Sequence, residues 1–545
     1  MTNAASLQEA VPPFLRLLFA WVRFILLRYE TEFTPCTGIT AVTKQERRDF
    51  RNGVMIAPWC PSLRRAESGC PLLNGAVVDS GWQFDLPTGE NCRVLRTPAD
   101  SFMPILYLAV EGRFEGQESP YDVTEDALSQ DALVFGLAVE GLLGRLGSPG
   151  RLVWGADWET VPALMRLLPR YDTALSIHNT FDRPLDAASV AFGTAYECFR
   201  QGSNAHSGPK TVLEVGIEAV DAVTTVNPGF ARGLRKERLH REVLADHLQH
   251  LLWRVVGVTN GPFSPLSQDA LDLRALLRSD FTAGKRRLFG MRSSALDGLP
   301  LTVRERAQGK VLVVAMGRRV AQKLHDVLVE SVRSLLAAEP GLPLCVVFAT
   351  THGDEGSPAR LERMRGLEHG HSQNVLCLDG RLPFYAQLMA AADFNCMASL
   401  YEPHGGAFES TVIPIARAVD GLAEQICGLA PEGAAHTMNR SWHSADEPPS
   451  GFLFREADSD AAELDAHLRE LLTQSPSPSN ALFDAMVREL SAVLLRAIRL
   501  RRDDEDSYAR LVRAALEKQN ANSWQANLGG VVALVEAARA RRALL

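Results

Sequence analysis

Paired cysteines, a cationic excess, a clean hydrophobic run and an internal repeat are all missing from this chain. Its nine cysteines (Cys36, Cys60, Cys70, Cys92, Cys198, Cys345, Cys377, Cys396 and Cys427) are odd in number and never spaced as Cys-x-x-Cys. That excludes a disulfide framework or a zinc ribbon and reads as reduced thiols in a cytoplasmic protein. Lys and Arg number 57 against 65 Asp and Glu, a net charge of −8, so no basic face for nucleic acid is expected. The apolar stretch Val11–Arg28 is broken by Arg16 and Arg23. It is too short and too charged for a membrane span, and no small-residue cleavage site follows it. An amphipathic helix leading into a first strand around Arg23–Tyr29 is expected instead. His352, Asp354, Glu355, His369 and His371 match no zinc-ligand spacing, and their Gly-rich surroundings mark a loop. No metal and no cofactor is therefore expected.

What is present is ordinary for a folded enzyme: 545 residues, 46% hydrophobic and 22% charged, enough apolar material for two cores. Short runs rich in β-branched residues begin at Gly53, Leu152, Ala174, Ala222, Val311 and Leu344, with helical-period stretches such as Val320–Ala338 between them. This alternation predicts α/β domains with parallel sheets and crossover helices. The polar, basic stretch Gly284–Gln308 reads as the boundary, dividing the chain into 1–300 and 308–520. Ser475–Ser479 reads as a flexible linker. Helices are expected at Ala481–Leu500, Tyr508–Lys518 and Val531–Leu545.

The chemistry gathers at strand ends. Asp393–Gly406 reads as a buried strand entering a tight loop with one carboxylate, Glu402, at its end. Pro403 fixes the turn, and Gly405 and Gly406 allow close backbone approach to a ligand. In an α/β protein such a loop, beyond the carboxyl end of a parallel strand, is where a site belongs. After the Val311 strand, Arg318 and Lys323 stand five residues apart, suited to neutralising a diphosphate leaving group; a plain strand-end basic patch is the alternative. His178 ends another strand, where a histidine taken alone is more often structural. Asp157 precedes Trp158, where an aspartate also suits a helix N-cap.

Taken together and in order, these segments resemble the bacterial-type glycogen and starch synthases, retaining glucosyltransferases of the GT-B fold. Glu402-Pro-His404-Gly405-Gly406 is similar to their E-P-C-G, and Pro414-Ile-Ala-Arg417-Ala-Val-Asp420-Gly421-Leu422 to P-I-V-R-x-T-G-G-L. Arg318–Lys323 matches R-L-x-x-Q-K-G, with Leu324 in place of the glycine. His178-Asn179 matches H-N-x-x-Y. Ala156-Asp157-Trp158-Glu159-Thr160 matches H-D-W-H-T with both histidines replaced. Lys210–Ala231 resembles a mostly architectural motif, Asn260-Gly261 matches G-I-x-N-G-I-D, and Ser523-Trp524 resembles the opening of the family's last helix.

The resemblance implies two Rossmann-like domains facing a cleft, with residues 521–545 crossing back to the N-terminal domain. It implies transfer of glucose from ADP-glucose, or UDP-glucose, to the non-reducing end of an α-1,4-glucan. Arg318 and Lys323 would hold the donor phosphates and Glu402 the donor sugar. His178 and Asp157 would shape the sugar pocket, and Gly38, Asn260, His404, Gly405 and Gly406 would contact the donor. The family's K-x-G-G-L loop is altered: Pro35 or Cys36 stands where the lysine belongs, and Gly38 is the one loop glycine kept. Where relatives carry a second glutamate eight residues after the first, this chain has Ser410, with Glu409 one position early. A catalytically weak binding relative and a different GT-B transferase or epimerase therefore stay open.

Overall fold

The structure, a computed structural model, describes residues 11–31, 38–60, 77–97, 102–114, 121, 123–147, 150–168, 170–184, 210–263, 266–406, 411–429, 447–456, 461–473 and 479–544. The chain forms two compact units: Met1–Val226 with His247–Phe263 and Ser523–Leu545, and Asn227–Asp246 with Ser264–Asn522.

The first unit is built on nine strands: β1 (Phe24–Leu27), β2 (Gly53–Pro58), β3 (Val78–Asp85), β4 (Asn91–Arg96), β5 (Ile105–Val110), β6 (Leu152–Ala156), β7 (Asp172–Ile177), β8 (Ala222–Thr225) and β9 (Val255–Gly257). Their order is β3-β4-β5-β2-β1-β6-β7-β8-β9. β1, β2, β5 and β6 are buried along their whole length, as strands covered by helices on both faces must be. β3 and β4 form an antiparallel hairpin on one edge, absent from the expected set. The helix Pro13–Trp21 precedes β1 and buries Leu15 and Phe19. The helix Glu125–Leu146 is the one described helix long and apolar enough to cross a membrane, yet 67% of its most apolar stretch is buried inside the protein. Thr124 caps its start and Gly147, at φ 61°, ends it, so it is built as a core helix. The last helix, Trp524–Leu544, belongs to this unit: Trp524 is 2% exposed and its indole N–H donates to the Pro262 carbonyl at 3.0 Å.

The second unit carries seven parallel strands: β10 (Val311–Arg318), β11 (Leu344–Thr351), β12 (Val375–Asp379), β13 (Phe394–Met397), β14 (Ile413–Arg417), β15 (Gly428–Leu429) and β16 (Gly451–Phe454), in the order β12-β11-β10-β13-β14-β16-β15. The expected boundary at Gly284–Gln308 is corrected. Residues 264–307 belong to the second unit, where Gln268–Ser279, Phe281–Asp297 and Leu301–Ala307 are helices. The basic composition that read as a linker is spent on contacts. Arg292 donates to Asp393 and to the Thr411 carbonyl, both at 2.7 Å, and Lys285 meets Asp506 at 2.6 Å. Leu273, Leu277 and Leu288 join the same apolar core as Val327, Phe348 and Leu490. Most of the expected Ser475–Ser479 linker lies outside the described residues. Among the described cysteines, Cys60, Cys92, Cys345, Cys377, Cys396 and Cys427 are free thiols.

Candidate functional site

Among the parallel strands, the order reverses between β1 and β6 in the first sheet and between β10 and β13 in the second. The carboxyl ends of the strands flanking such a reversal leave a crevice for a ligand. The loops after β10 and β13 carry Arg318, Lys323, Glu402, His404, Gly405 and Gly406, so the structure brings this expected set to one sheet edge.

The loop after β13 is held at nearly every backbone carbonyl. The Leu400 carbonyl accepts from Arg417 at 2.7 Å, Tyr401 from Gln322 at 3.0 Å, Glu402 from the Gly421 amide at 3.1 Å, and His404 from Gln425 at 2.8 Å. Pro403 accepts from the Asn227 amide group, and Gly406 from Asn395 at 3.3 Å. Such satisfaction fixes a loop before any ligand arrives. Glu402, 7% exposed, pairs through Oε2 with the Lys323 ammonium and accepts from the Ser399 hydroxyl at 3.0 Å. Gly405 has φ 73°, and a Cβ there would meet Glu402 Cγ at 2.8 Å, so the turn admits only glycine. His404 Nδ1 lies 3.1 Å from the Gln425 amide.

Arg318 ends β10 opposite Thr351, is exposed, and its side chain makes no hydrogen bond or ion pair among the described residues. Its neighbour Arg319 is buried and committed to Thr350 and Asp379. Arg318 is thus free to meet an anion, whereas Arg319 is structural. Of the four described non-glycine residues at positive φ, two, Leu324 (φ 47°) and Asp420 (φ 42°), stand where the resembled motifs carry glycine. The backbone shape survives the loss of the residue that favours it.

In the first unit, Asp157 and His178 come together. Asp157 Oδ1 accepts from the His178 amide at 2.7 Å and the Asn179 amide at 3.4 Å, and its Oδ2 lies 3.3 Å from His178 Nδ1. The N-cap alternative is corrected: Asp157 flanks the turn Trp158–Thr160, but its side chain makes no capping hydrogen bond. Glu159 is fully buried beside it, and burial together with the Asp157 and Glu30 charges pushes its carboxyl well above the usual range. Glu159 Oε2 is buried without a hydrogen-bond partner among the described residues, and Asp157 Oδ2 and His178 Nδ1 face each other without meeting hydrogen-bond geometry. Asn260 follows β9, two strands beyond β7, and is not brought to this pair. Its Oδ1 accepts from Asn527 of the last helix at 3.2 Å. Gly38 begins the helix Gly38–Asp49; Pro35 and Cys36, like Glu409 and Ser410, lie outside the described residues.

Asn227, His240 and Asp420 escaped the sequence reading as site residues. Asn227 had a signal, since it opens a helix at Pro228. That it also donates to Pro403, far along the chain, had none. Nor had the pairing of His240 with Asp420, at 3.2 Å.

Two Rossmann-like sheets, with polar groups at the carboxyl edge of each reversal, give the chain the GT-B fold. The profile of the starch synthase catalytic domain matches residues 54–252. The glycogen synthase of Aromatoleum aromaticum is 28% identical over 433 residues, 74% of this chain and 79% of that protein. That of Pseudothermotoga lettingae is 22% identical over 444 residues, 78% and 84%. The catalytic domain of starch synthase IV from Arabidopsis thaliana, solved with ADP and acarbose, superposes with a TM-score of 0.65 at 16% identity, covering 95% of this chain and 99% of that one. That last likeness is one of fold. In sequence the chain is similar to the glycogen and starch synthases.

Proposed function

We propose that the protein is a retaining glucosyltransferase that moves glucose from a nucleoside diphosphate glucose, ADP-glucose in preference to UDP-glucose, to the non-reducing end of an α-1,4-glucan. The observation that carries this reading is the pre-ordered loop Leu400–Gly406, which presents Glu402 to Lys323 beside an unengaged Arg318. As the bond from glucose C1 to the diphosphate breaks, its electron pair passes to the phosphate oxygen. Two cations there stabilise the charge that develops in the transition state. Glu402 accepts from donor-sugar hydroxyls, and the amides of Gly405 and Gly406 face the donor. Asp157 and His178 supply the sugar-facing polar groups of the first unit. ADP-glucose is favoured because the starch synthase IV similar in fold was solved with ADP.

The test is transfer of labelled glucose to glycogen by purified protein, from ADP-glucose and UDP-glucose separately, with Glu402→Ala alongside. Incorporation from one donor, lost in the variant, establishes the activity and names the donor. A folded protein that binds glycogen but transfers from neither donor is the catalytically weak relative, and the altered loop at Pro35 and Cys36 is then the place to restore a lysine. Donor consumption without incorporation into glycogen instead marks a different GT-B transferase or an epimerase.

A further inference from the structure

Asp420 is in an unfavourable place. It has φ 42°, a left-handed conformation that costs a residue with a Cβ about 1–2 kcal/mol. It is 5% exposed, and its carboxyl crowds the space a side chain at Gly233 would need. Two interactions offset this. Oδ2 accepts the backbone N–H of Glu402 at 3.0 Å, and both carboxylate oxygens lie 3.2 Å from Nε2 of His240. His240 is 1% exposed; its ring is wedged edge-on between Phe230, at 5.4 Å, and Tyr401, at 5.8 Å, so its direction is set by packing. The next residue completes the clamp, since the Gly421 amide donates to the Glu402 carbonyl at 3.1 Å. Both backbone groups of Glu402 are therefore held by residues 420 and 421.

The segment Asn227–Leu244 supports the loop and the helix Asp420–Gln425 behind it from three points: Asn227 to the Pro403 carbonyl, the Gly229 amide to Glu424 at 3.0 Å, and His240 to Asp420. Beneath lies a small cavity of about 50 Å³ lined by Glu237, His240, Arg417, Asp420, Arg455 and Glu456 among others. These charged groups are paired, Arg417 with Glu456 and Arg455 with Glu237 at 2.8 Å. That leaves Asp420 with His240 and the Glu402 amide.

We propose that Asp420 and His240 form a positioning pair for Glu402, in which the imidazole orients the carboxylate and the carboxylate fixes the backbone from which the donor-facing glutamate projects. The inference rests on the proposed role of Glu402 and adds to it the device that aims that side chain. In this chain the pair replaces a glycine turn with a hydrogen-bonded one.

The experiment compares Asp420→Gly, Asp420→Asn, His240→Ala and His240→Gln with the wild type in the labelled-glucose assay, with thermal unfolding and amide hydrogen exchange on each. Glycine at 420 removes the carboxylate while relieving the backbone, so the fold is kept. Asn restores an acceptor, and Gln restores an N–H at the Nε2 position. The expected result is a fall in kcat of about tenfold or more for Asp420→Gly and His240→Ala, with donor KM within about twofold. Most of kcat should return in Asp420→Asn and His240→Gln, and exchange should quicken in peptides spanning Leu400–Gly406. Activities that follow melting temperature without rescue by the conservative variants overturn the proposal, as does a fully active Asp420→Gly. If the wild type transfers no glucose, the proposed function falls on its own and the exchange measurement decides: unchanged protection of the Glu402 peptide in Asp420→Gly overturns the pairing.

Discussion

At the scale of single residues, the candidate site is decided by backbone conformation as much as by charge. Gly405→Ala would force a Cβ into φ 73° and against Glu402, at a cost of about 1–3 kcal/mol. A modest drop in melting temperature with a much larger loss of transfer is expected, read by calorimetry and the glucose assay. Leu324 sets the opposite balance. Its left-handed φ costs about 1–2 kcal/mol, but its side chain is 5% exposed, and deleting a buried leucine costs about 2–5 kcal/mol. Restoring the glycine of related sequences in Leu324→Gly is therefore expected to lower stability, and a raised melting point would refute the reasoning. Charge matters most at Glu456. Burial alone would raise its carboxyl, but the Arg417 and Arg455 guanidiniums beside it prevail and hold it at about 2, below its ordinary 4.5. Its folded pKa is depressed, so the stability it supplies, about 3 kcal/mol, is complete above pH 4.5 and lost as pH falls towards 2. Denaturant titrations at pH 6 and pH 3 should show that loss in the wild type and little of it in Glu456→Gln.

At the scale of elements, what could be read in the sequence was what repeats locally. Six strands announced themselves as β-branched runs, with Arg318 and Lys323 at the end of one of them, and Glu402 could be placed because it sits just past a further buried strand, Phe394–Met397. Asp157 and His178 met because β6 and β7 are neighbours. The β3–β4 hairpin was missed because its alternating burial is interrupted by an irregularity between Asp79 and Trp82. The helix Phe281–Asp297 was mistaken for a boundary because its buried face includes Gly284 and Arg292 beside Leu288, a pattern no apolar periodicity reveals. His240 and Asp420 are 180 residues apart, and nothing local links them. The buried arginine on the misread helix gives a sharp expectation. Arg292→Leu leaves Asp393 with Arg501 as its remaining cation, and breaking a buried pair costs about 3–5 kcal/mol. Chemical denaturation should show it; a neutral result would mean that Arg501 alone suffices.

At the scale of the whole molecule, connectivity separates from compactness. The first unit is completed by the last 23 residues, where Trp524 fills the space over Gly261 and Arg542 meets Asp221 at 2.6 Å. Trp524→Ala is expected to cost about 3–5 kcal/mol and to release the C-terminal helix to proteolysis ahead of the rest; simultaneous cleavage everywhere would contradict that. The chain passes between the two units four times, at 226, 246, 263 and 522, so neither is encoded by one uninterrupted stretch. On the ribosome, then, the first unit must wait for the helix Trp524–Leu544 until the whole of the second has been synthesised. A gene fragment starting at residue 264 would carry Asp420 without the histidine that faces it.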